Sequence, residues 1–365
     1  MDIPPVWRRQ MTSRLSRAWI FAAAALVIAA GGCAQSGGIR GIGGAYNHAV
    51  VGERLVYLTG IDGYLYAFDK FTGSIDQPGW RVPVGKGKRL KPLVAGPALA
   101  SLRAAEGRTE DGSSQDRQLV VVASEDANVY AFDARDGEQL WQFPAGDKVW
   151  STPVIRDGVV YFGSQDHNVY AINLADGRKK WQFKTGGAVA GRPLLFGDLV
   201  VAGSFDKKLY GISTGDGSLR WSFEGGNWFW AGPVADEGTI FAPSMDGNVY
   251  ALDRDGKLRW KHDMGSPIVS TPVLHPRGLV VIGKDGKLSL LSTKLADAGT
   301  TRELTPPLFV RDAEVKAPLF IKGDSVFIGA QDSTVTRIDI KVKGAGNVSF
   351  DQAWCFNTKE EHVDC

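Results

Sequence analysis

Short segments of alternating apolar and polar positions run through most of this chain. They are rich in β-branched and aromatic residues, as in Val169–Ile172, and Gly and Asp turns separate them. Alternation with this composition predicts β-strands, because a helix would place its apolar residues three and four positions apart. The chain is therefore predicted to be all-β.

The predicted strands belong to a repeat. Four copies follow one another: NVYAFDARDGEQLWQF, NVYAINLADGRKKWQF, KLYGISTGDGSLRWSF and NVYALDRDGKLRWKH. Their tryptophans, Trp141, Trp181, Trp221 and Trp260, are 40, 40 and 39 residues apart. A period of this length built from strands is typical of β-propellers, in which each repeat supplies one four-stranded blade.

A turn aspartate marks each copy, including three copies that match less well. The seven are Asp62, Asp126, Asp166, Asp206, Asp246, Asp285 and Asp332. The sequence therefore predicts a propeller of seven four-stranded blades, and an undetected, divergent eighth blade stays open. The polar segment Arg103–Arg117 is predicted to be an exposed loop. The sixth copy lacks the tryptophan, so its fourth strand is not located.

The Gly and the Trp of each copy are interpreted as structural residues. The Gly is expected to take a positive φ, and the Trp four positions later to reach the neighbouring blade. Burying an indole removes ~200 Å² of surface from water, a gain of several kcal/mol. The tryptophans given this role are Trp80, Trp141, Trp181, Trp221, Trp260 and Trp354.

The first 33 residues have the pattern of a targeting segment. A basic stretch precedes the apolar stretch Ala18–Ala30, which is too short to span a membrane. The small residues before Cys33 resemble the lipobox of bacterial lipoproteins, although Ala30 stands where that motif usually has Leu. The resemblance implies lipidation at Cys33. An ordinary signal peptide or an uncleaved anchor with an incidental Cys is the alternative.

These features divide the chain into four parts. They are a signal peptide (1–33), a flexible tether (34–43), a single propeller domain (44–358) and a C-terminal tail (359–365). The expected location is the periplasmic face of an outer membrane or the outer face of a single cell membrane. In an exported chain, Cys355 and Cys365 are a candidate disulfide, and two free thiols are the alternative.

Charge and motifs narrow the classes of function. The chain has 42 basic and 40 acidic residues, so no broad field attracts nucleic acid. The sequence contains neither a Gly-rich phosphate loop between strand and helix nor a His pair at metal-ligand spacing. A nucleic-acid partner and a metal site are therefore not expected. The histidines interpreted as loop or strand-face residues are His48, His167, His262, His275 and His362.

The run VYAFDARDGEQLW resembles the tryptophan-docking repeat of pyrroloquinoline-quinone (PQQ) dehydrogenases, and the resemblance covers residues 44–358. Proteins with this PQQ-like repeat divide into quinoprotein dehydrogenases and shorter lipoproteins similar to BamB, the propeller subunit of the outer-membrane β-barrel assembly machinery. The lipobox and the length favour the BamB-like branch. The resemblance then implies a non-enzymatic scaffold for protein–protein interaction, a monomer within a complex, with no catalytic residue and no cofactor.

A quinoprotein enzyme would need calcium ligands, a catalytic Asp and usually an adjacent pair of cysteines. The sequence contains no Cys-Cys pair. The repeated aspartates are interpreted as turn residues that bond their own backbone. A propeller that binds PQQ with calcium, or another small ligand, stays the alternative.

Prolines mark the start of the innermost strand in successive blades, a position that need not donate to the sheet. They are Pro97, Pro153, Pro193, Pro233, Pro272 and Pro318. Innermost strands line the central channel, so the segments before these prolines form the rim of one channel opening, where binding residues are expected. The residues assigned to partner binding are Trp150, Arg192, Trp228, Phe229 and Trp230. The alternative is that Trp228 or Trp230 fills the channel.

In BamB-like proteins, an Arg in one rim loop and acidic residues in the next contact the barrel-assembly protein. Arg192 lies in a comparable loop, but the following loop, GGNWFWAGP, has Trp-Phe-Trp where acids would be expected. The partner is therefore expected to be another envelope protein, with a barrel-assembly component as one candidate. A different partner or a small ligand stays open.

Overall fold

Every strand in the described part of the chain belongs to one of seven four-stranded antiparallel sheets. The computed structural model describes residues 49–76, 78–85, 91–102, 117–294, 303–310, 315, 318–329, 334–343 and 347–357. The prediction of an all-β propeller with seven blades is confirmed. Among the described residues, no helix is long and apolar enough to cross a membrane.

Several predictions concern residues outside the described part. These are Cys33, Cys365, Asp332, His48, His362, the segments 1–33, 34–43 and 359–365, and residues 103–116 of the predicted loop. They stay predictions. The end of that loop is corrected, because Arg117 already pairs with Leu102 as the first residue of a strand.

Each blade takes its four strands from one continuous stretch of chain, in the order inner to outer. Blade one contains β1 (Val50–Val51), β2 (Leu55–Thr59), β3 (Tyr64–Asp69) and β4 (Trp80–Pro83). Blade two contains β5 (Ala98–Leu102), β6 (Arg117–Ala123), β7 (Asn128–Asp133) and β8 (Gln139–Pro144). Blade three contains β9 (Val154–Arg156), β10 (Val159–Gly163), β11 (Asn168–Asn173) and β12 (Lys179–Lys184). Blade four contains β13 (Leu194–Phe196), β14 (Leu199–Gly203), β15 (Lys208–Ser213) and β16 (Leu219–Glu224).

The last three blades follow the same order. Blade five contains β17 (Val234–Ala235), β18 (Ile240–Pro243), β19 (Asn248–Leu252) and β20 (Leu258–Asp263). Blade six contains β21 (Val273–His275), β22 (Gly278–Ile282), β23 (Lys287–Leu291) and β24 (Leu308–Phe309). Blade seven contains β25 (Phe320–Lys322), β26 (Ser325–Gly329), β27 (Thr334–Lys343) and β28 (Asn347–Asn357). The fourth strand of blade six, which the sequence did not locate, is therefore the two-residue β24.

The hydrophobic core lies between neighbouring blades. The second and third strands of a blade are buried on both faces, whereas the outer strand β12 alternates buried and exposed positions. One cluster joins Val169 of blade three to Val200 and Ile212 of blade four. Comparable clusters connect each blade to the next from the first to the seventh. Burial of these apolar surfaces is the main force that holds the blades together.

The repeat tryptophans bridge adjacent blades, as the sequence predicts. Trp141 pairs with the small residue Ala131 within its own sheet, and its indole N–H donates to the carbonyl of Leu174 in the next blade at 2.8 Å. Its ring covers Gly177, which has a φ of 71°. The same indole-to-carbonyl bond joins Trp80 to Ala134, Trp181 to Thr214 and Trp221 to Arg254.

The bridge changes at the sixth blade. Trp260 is buried, but its indole nitrogen has no hydrogen-bond partner among the described residues. Blade six has no tryptophan, and no Asp-Gly pair lies between β23 and β24 in the sequence. In blade seven, Trp354 pairs with Arg337 and its ring contacts Phe327, with centroids 6.1 Å apart.

Candidate functional site

Two kinds of loop share one face of the propeller, because antiparallel strands reverse direction at each turn. One kind is the turn between the second and third strands of a blade. The other is the connection from the outer strand to the next inner strand, which the sequence identifies as the rim. The two are joined by backbone hydrogen bonds, from Gln165 N to the carbonyl of Lys148 at 2.9 Å and from Met245 N to that of Trp228 at 2.9 Å.

The turn aspartates hold the rim in place. Asp166 accepts the backbone N–H of Asn168 at 2.9 Å, as expected for a turn residue, and the hydroxyl of Tyr170 at 2.7 Å. It also accepts the N–H of the rim residue Gly146 at 2.6 Å. Burial, followed by the hydrogen bond to Asp166, raises the pKa of Tyr170. Asp206 and Asp246 bind their own Tyr and rim Gly in the same way.

Four aromatic side chains on this face form what we call the aromatic ladder: Trp150, Phe205, Trp228 and Trp230. The ring of Phe205 is stacked with Trp228 at a centroid distance of 4.9 Å and with Trp230 at 5.2 Å, and both interplanar angles are below 15°. Trp230 also contacts Trp150 at 6.1 Å, with their planes tilted by 47°. Residues from blades three, four and five thus meet in one continuous aromatic surface.

The ladder is anchored at the blade-two end by polar contacts. The Trp150 indole N–H donates to Glu125 at 3.0 Å, and the Lys148 ammonium lies 3.8 Å from the same carboxylate. Lys148 also lies over the Trp150 ring at 5.9 Å from its centroid. These contacts fix the orientation of Trp150 before any ligand binds.

The assignment of Phe229 to partner binding is corrected. Its side chain is 1% exposed and belongs to the core cluster of blades four and five, with its ring 5.9 Å from that of Tyr250. Successive side chains of an extended segment point to opposite sides, so Trp228 and Trp230 face the rim while Phe229 faces the core. Trp228 is 43% exposed, so it is not buried between neighbouring blades. Trp230 is half-buried.

Arg192 occupies a position at which neighbouring blades have smaller residues. The hydroxyl of Thr152, one blade earlier, accepts the N–H of Gly96 at 3.2 Å, and that of Thr271 accepts the N–H of Gly232. Arg192 has no hydrogen-bond or ion-pair partner within the described residues. Its side chain is solvent-accessible, yet desolvation by the surrounding protein lowers the pKa of the guanidinium.

Sequence reasoning missed the turn residues beside the rim. Phe205 stacks on two of the predicted tryptophans, and the buried carboxamide nitrogen of Gln165 has no partner among the described residues. The sequence contains a signal for these residues. The residue before each turn aspartate differs from blade to blade, whereas the aspartate itself is constant. These residues are Ile61, Glu125, Gln165, Phe205, Met245 and Lys284.

The remaining candidate residues lie elsewhere. The described residues contain no group of three or more His, Cys, Asp or Glu side chains that could hold a metal ion. His275 is buried and its Nε2 lies 3.0 Å from Asp324, whereas His167 is exposed at a turn. Cys355 is disulfide-bonded. Its pairing with Cys365 stays a prediction.

The seven sheets and the tryptophans that bridge them define a β-propeller of the tryptophan-docking class. The family model for the outer membrane protein assembly factor BamB matches residues 76–225 and 223–341. The chain belongs to this family.

Solved structures with the same fold are similar to this chain at low sequence identity. BamB from Moraxella catarrhalis is 18% identical with a TM-score of 0.62, over 80% of this chain and 84% of that one. The computationally designed Ika8 protein is 16% identical with a TM-score of 0.62, over 83% and 95%. A chain of the mitotic checkpoint complex is 13% identical with a TM-score of 0.57, over 82% and 84%. A search of the curated proteins finds no match.

Proposed function

We propose that this protein is a non-enzymatic envelope scaffold that binds another envelope protein, a component of outer-membrane protein assembly, through the aromatic ladder. The family description, an outer membrane protein assembly factor, supports the general role. The lipobox-like sequence at Cys33 supports a lipid anchor on the periplasmic face of an outer membrane. A scaffold of this kind works without a cofactor.

The observation that carries the proposal is the stacked, partly exposed ladder at the channel mouth. Trp228 is 43% exposed and continuous with three other aromatic rings, and a contiguous exposed apolar patch marks an interaction site, whereas a single exposed apolar side chain does not. Trp and Arg are enriched among residues that dominate binding energy at protein interfaces. Trp228 and Arg192 supply both kinds of group on one face.

The proposal is tested by co-purification from solubilised membranes. The wild-type protein is compared with the double variant Trp228→Ala/Trp230→Ala and with Phe71→Ala as control. Phe71 is 70% exposed in the turn after β3, on the opposite face, so its loss removes a comparable apolar group outside the rim. An assembly component recovered with the wild type and the control, and lost from the double variant, is the expected result. Equal recovery from all three proteins would overturn the proposal.

A further inference from the structure

Three hydrogen-bond donors on the rim have no acceptor within the described part of the chain. They are the buried carboxamide nitrogen of Gln165, the guanidinium of Arg192 and the indole N–H of Trp228. The Gln165 nitrogen is buried and has therefore lost water without gaining an acceptor from the described chain, whereas Arg192 and Trp228 are exposed and can bind water in the free protein. The two exposed donors, one of them charged, are available to a ligand that presents acceptors.

The carboxylates of the same surface are already used. Glu125 binds the Trp150 indole and the Lys148 ammonium. Asp166 and Asp206 each accept a Tyr hydroxyl and two backbone N–H groups. A ligand rich in hydroxyl donors, such as a sugar chain, would therefore find few free partners here. The unpaired groups favour a ligand that presents acceptors and few donors.

The ladder specifies the apolar part of such a ligand. Trp228 stacks on Phe205 with its outer surface open, and the 47° tilt between Trp150 and Trp230 leaves a wedge between their planes. Ridges of aromatic rings bind proline rings, and the polyproline II helix directs its carbonyls outward with no internal hydrogen bonds. Proline has no backbone N–H, so a proline-rich segment brings acceptors and apolar rings without competing donors.

Arg192 adds a requirement of charge. Its guanidinium has no carboxylate partner among the described residues, and desolvation already lowers its pKa. A carboxylate can accept two parallel N–H bonds from a guanidinium, which is the strongest pairing open to this side chain. The ligand is therefore expected to carry an acidic residue near its prolines.

We propose that the aromatic ladder and Arg192 bind an extended, proline-rich segment of the partner protein that carries a carboxylate. The proline rings pack on Trp228 and in the wedge between Trp150 and Trp230. A backbone carbonyl of the segment accepts from the exposed indole of Trp228, and its carboxylate pairs with Arg192. This inference rests on the proposed function, because it names the part of the partner that the rim binds.

The test uses the purified full-length protein in detergent and a fluorescently labelled proline-rich peptide with one central Glu. Binding is measured by fluorescence anisotropy. Two matched peptides replace the prolines by Ala or the Glu by Gln. Saturable binding of the Glu peptide, at least about 10-fold tighter than the alanine peptide, is expected, since the preformed helix loses little entropy on binding.

Variants connect the binding to named residues. Trp228→Ala is expected to weaken binding of the Glu peptide by about 10-fold or more, as at other interface tryptophans, and Phe71→Ala to leave it unchanged. Arg192→Gln is expected to weaken the Glu peptide by a similar factor and to leave the Gln peptide unaffected. Thermal unfolding of each variant establishes that the exposed substitutions leave the fold intact.

Equal affinity for the proline and alanine peptides would overturn the inference, as would full affinity in Trp228→Ala. Binding of a soluble N-acetylglucosamine oligomer in place of the peptide would overturn it in favour of a sugar ligand. If co-purification of an envelope protein depends on Trp228 and Trp230 while no proline peptide binds, this inference fails and the proposed function stands. Equal co-purification from all variants would make the proposed function fail by itself.

Discussion

At the end of the third strand in blades one to three, one side chain accepts the backbone N–H two residues further on. Asp69, Asp133 and Asn173 make this bond to Phe71, Arg135 and Ala175 at 2.9–3.0 Å. Asp133 differs because two arginine side chains bind its carboxylate, Arg117 at 2.7 Å and Arg135 at 3.1 Å, whereas Asp69 binds one, Arg54. Burial raises the pKa of Asp133, but the hydrogen bonds from Arg135 and Arg117 outweigh it and the pKa is lowered.

Asp133→Asn tests this ion cluster, since the Asn side chain at the same position of blade three keeps the backbone bond. At pH 7 the unfolding free energy is expected to fall by about 1–2 kcal/mol, because both arginines are partly exposed and screened. A carboxylate with a lowered pKa stabilises the fold at pH values above its pKa in the unfolded chain, about 3.9. That stabilisation is lost as the pH falls through the pKa in the folded protein.

The difference in unfolding free energy between Asp133→Asn and the wild type should therefore become smaller as the pH is lowered. Urea unfolding at pH 7 and at the lowest pH that keeps both proteins folded measures it. Asp136→Asn, at an exposed turn residue with one backbone hydrogen bond, is the control and should change stability little at either pH. A constant difference at all pH values would contradict the ion-pair explanation.

The element that defines this propeller is the tryptophan laid over the Asp-Gly turn of the next blade. It could be predicted from the sequence because each of its parts repeats every 40 residues and lies within one copy or its neighbour. The ladder could not be predicted in full. Phe205 meets Trp228 and Trp230 only because the turn of blade four lies beside the connection to blade five, a register that neither segment encodes alone.

A comparison of two glycines distinguishes how backbone conformation and packing against the tryptophan each contribute to stability. Gly158 and Gly177 both have a φ of 71°, but an added Cβ meets nothing within 4 Å at Gly158, whereas at Gly177 it lies 2.9 Å from the Trp141 ring. Gly158→Ala is expected to cost about 1–2 kcal/mol from left-handed strain. Gly177→Ala should cost a further 1–3 kcal/mol, about the usual penalty of overpacking. Denaturant unfolding of both variants measures the difference, and equal losses would show that the Trp141 contact contributes nothing.

At the scale of the whole molecule, the rim residues belong to the blades in which the repeat is most regular. The indole-to-carbonyl bridges run without a break from Trp80 to Trp221, across blades one to five. The next tryptophan, Trp260, lacks an acceptor among the described residues, and blade six departs from the repeat. The ladder belongs to blades three to five, so it is held by rigid neighbours and loses little freedom on binding.

The most direct test of the docking role is photocrosslinking in the intact cell. Met245, whose N–H bonds to the carbonyl of Trp228, and Phe71 on the opposite face are replaced in separate proteins by p-benzoylphenylalanine. The account predicts an ultraviolet-dependent crosslink to an outer-membrane assembly component from position 245 and none from position 71. Crosslinks to that component from position 71 but not from position 245 would contradict it.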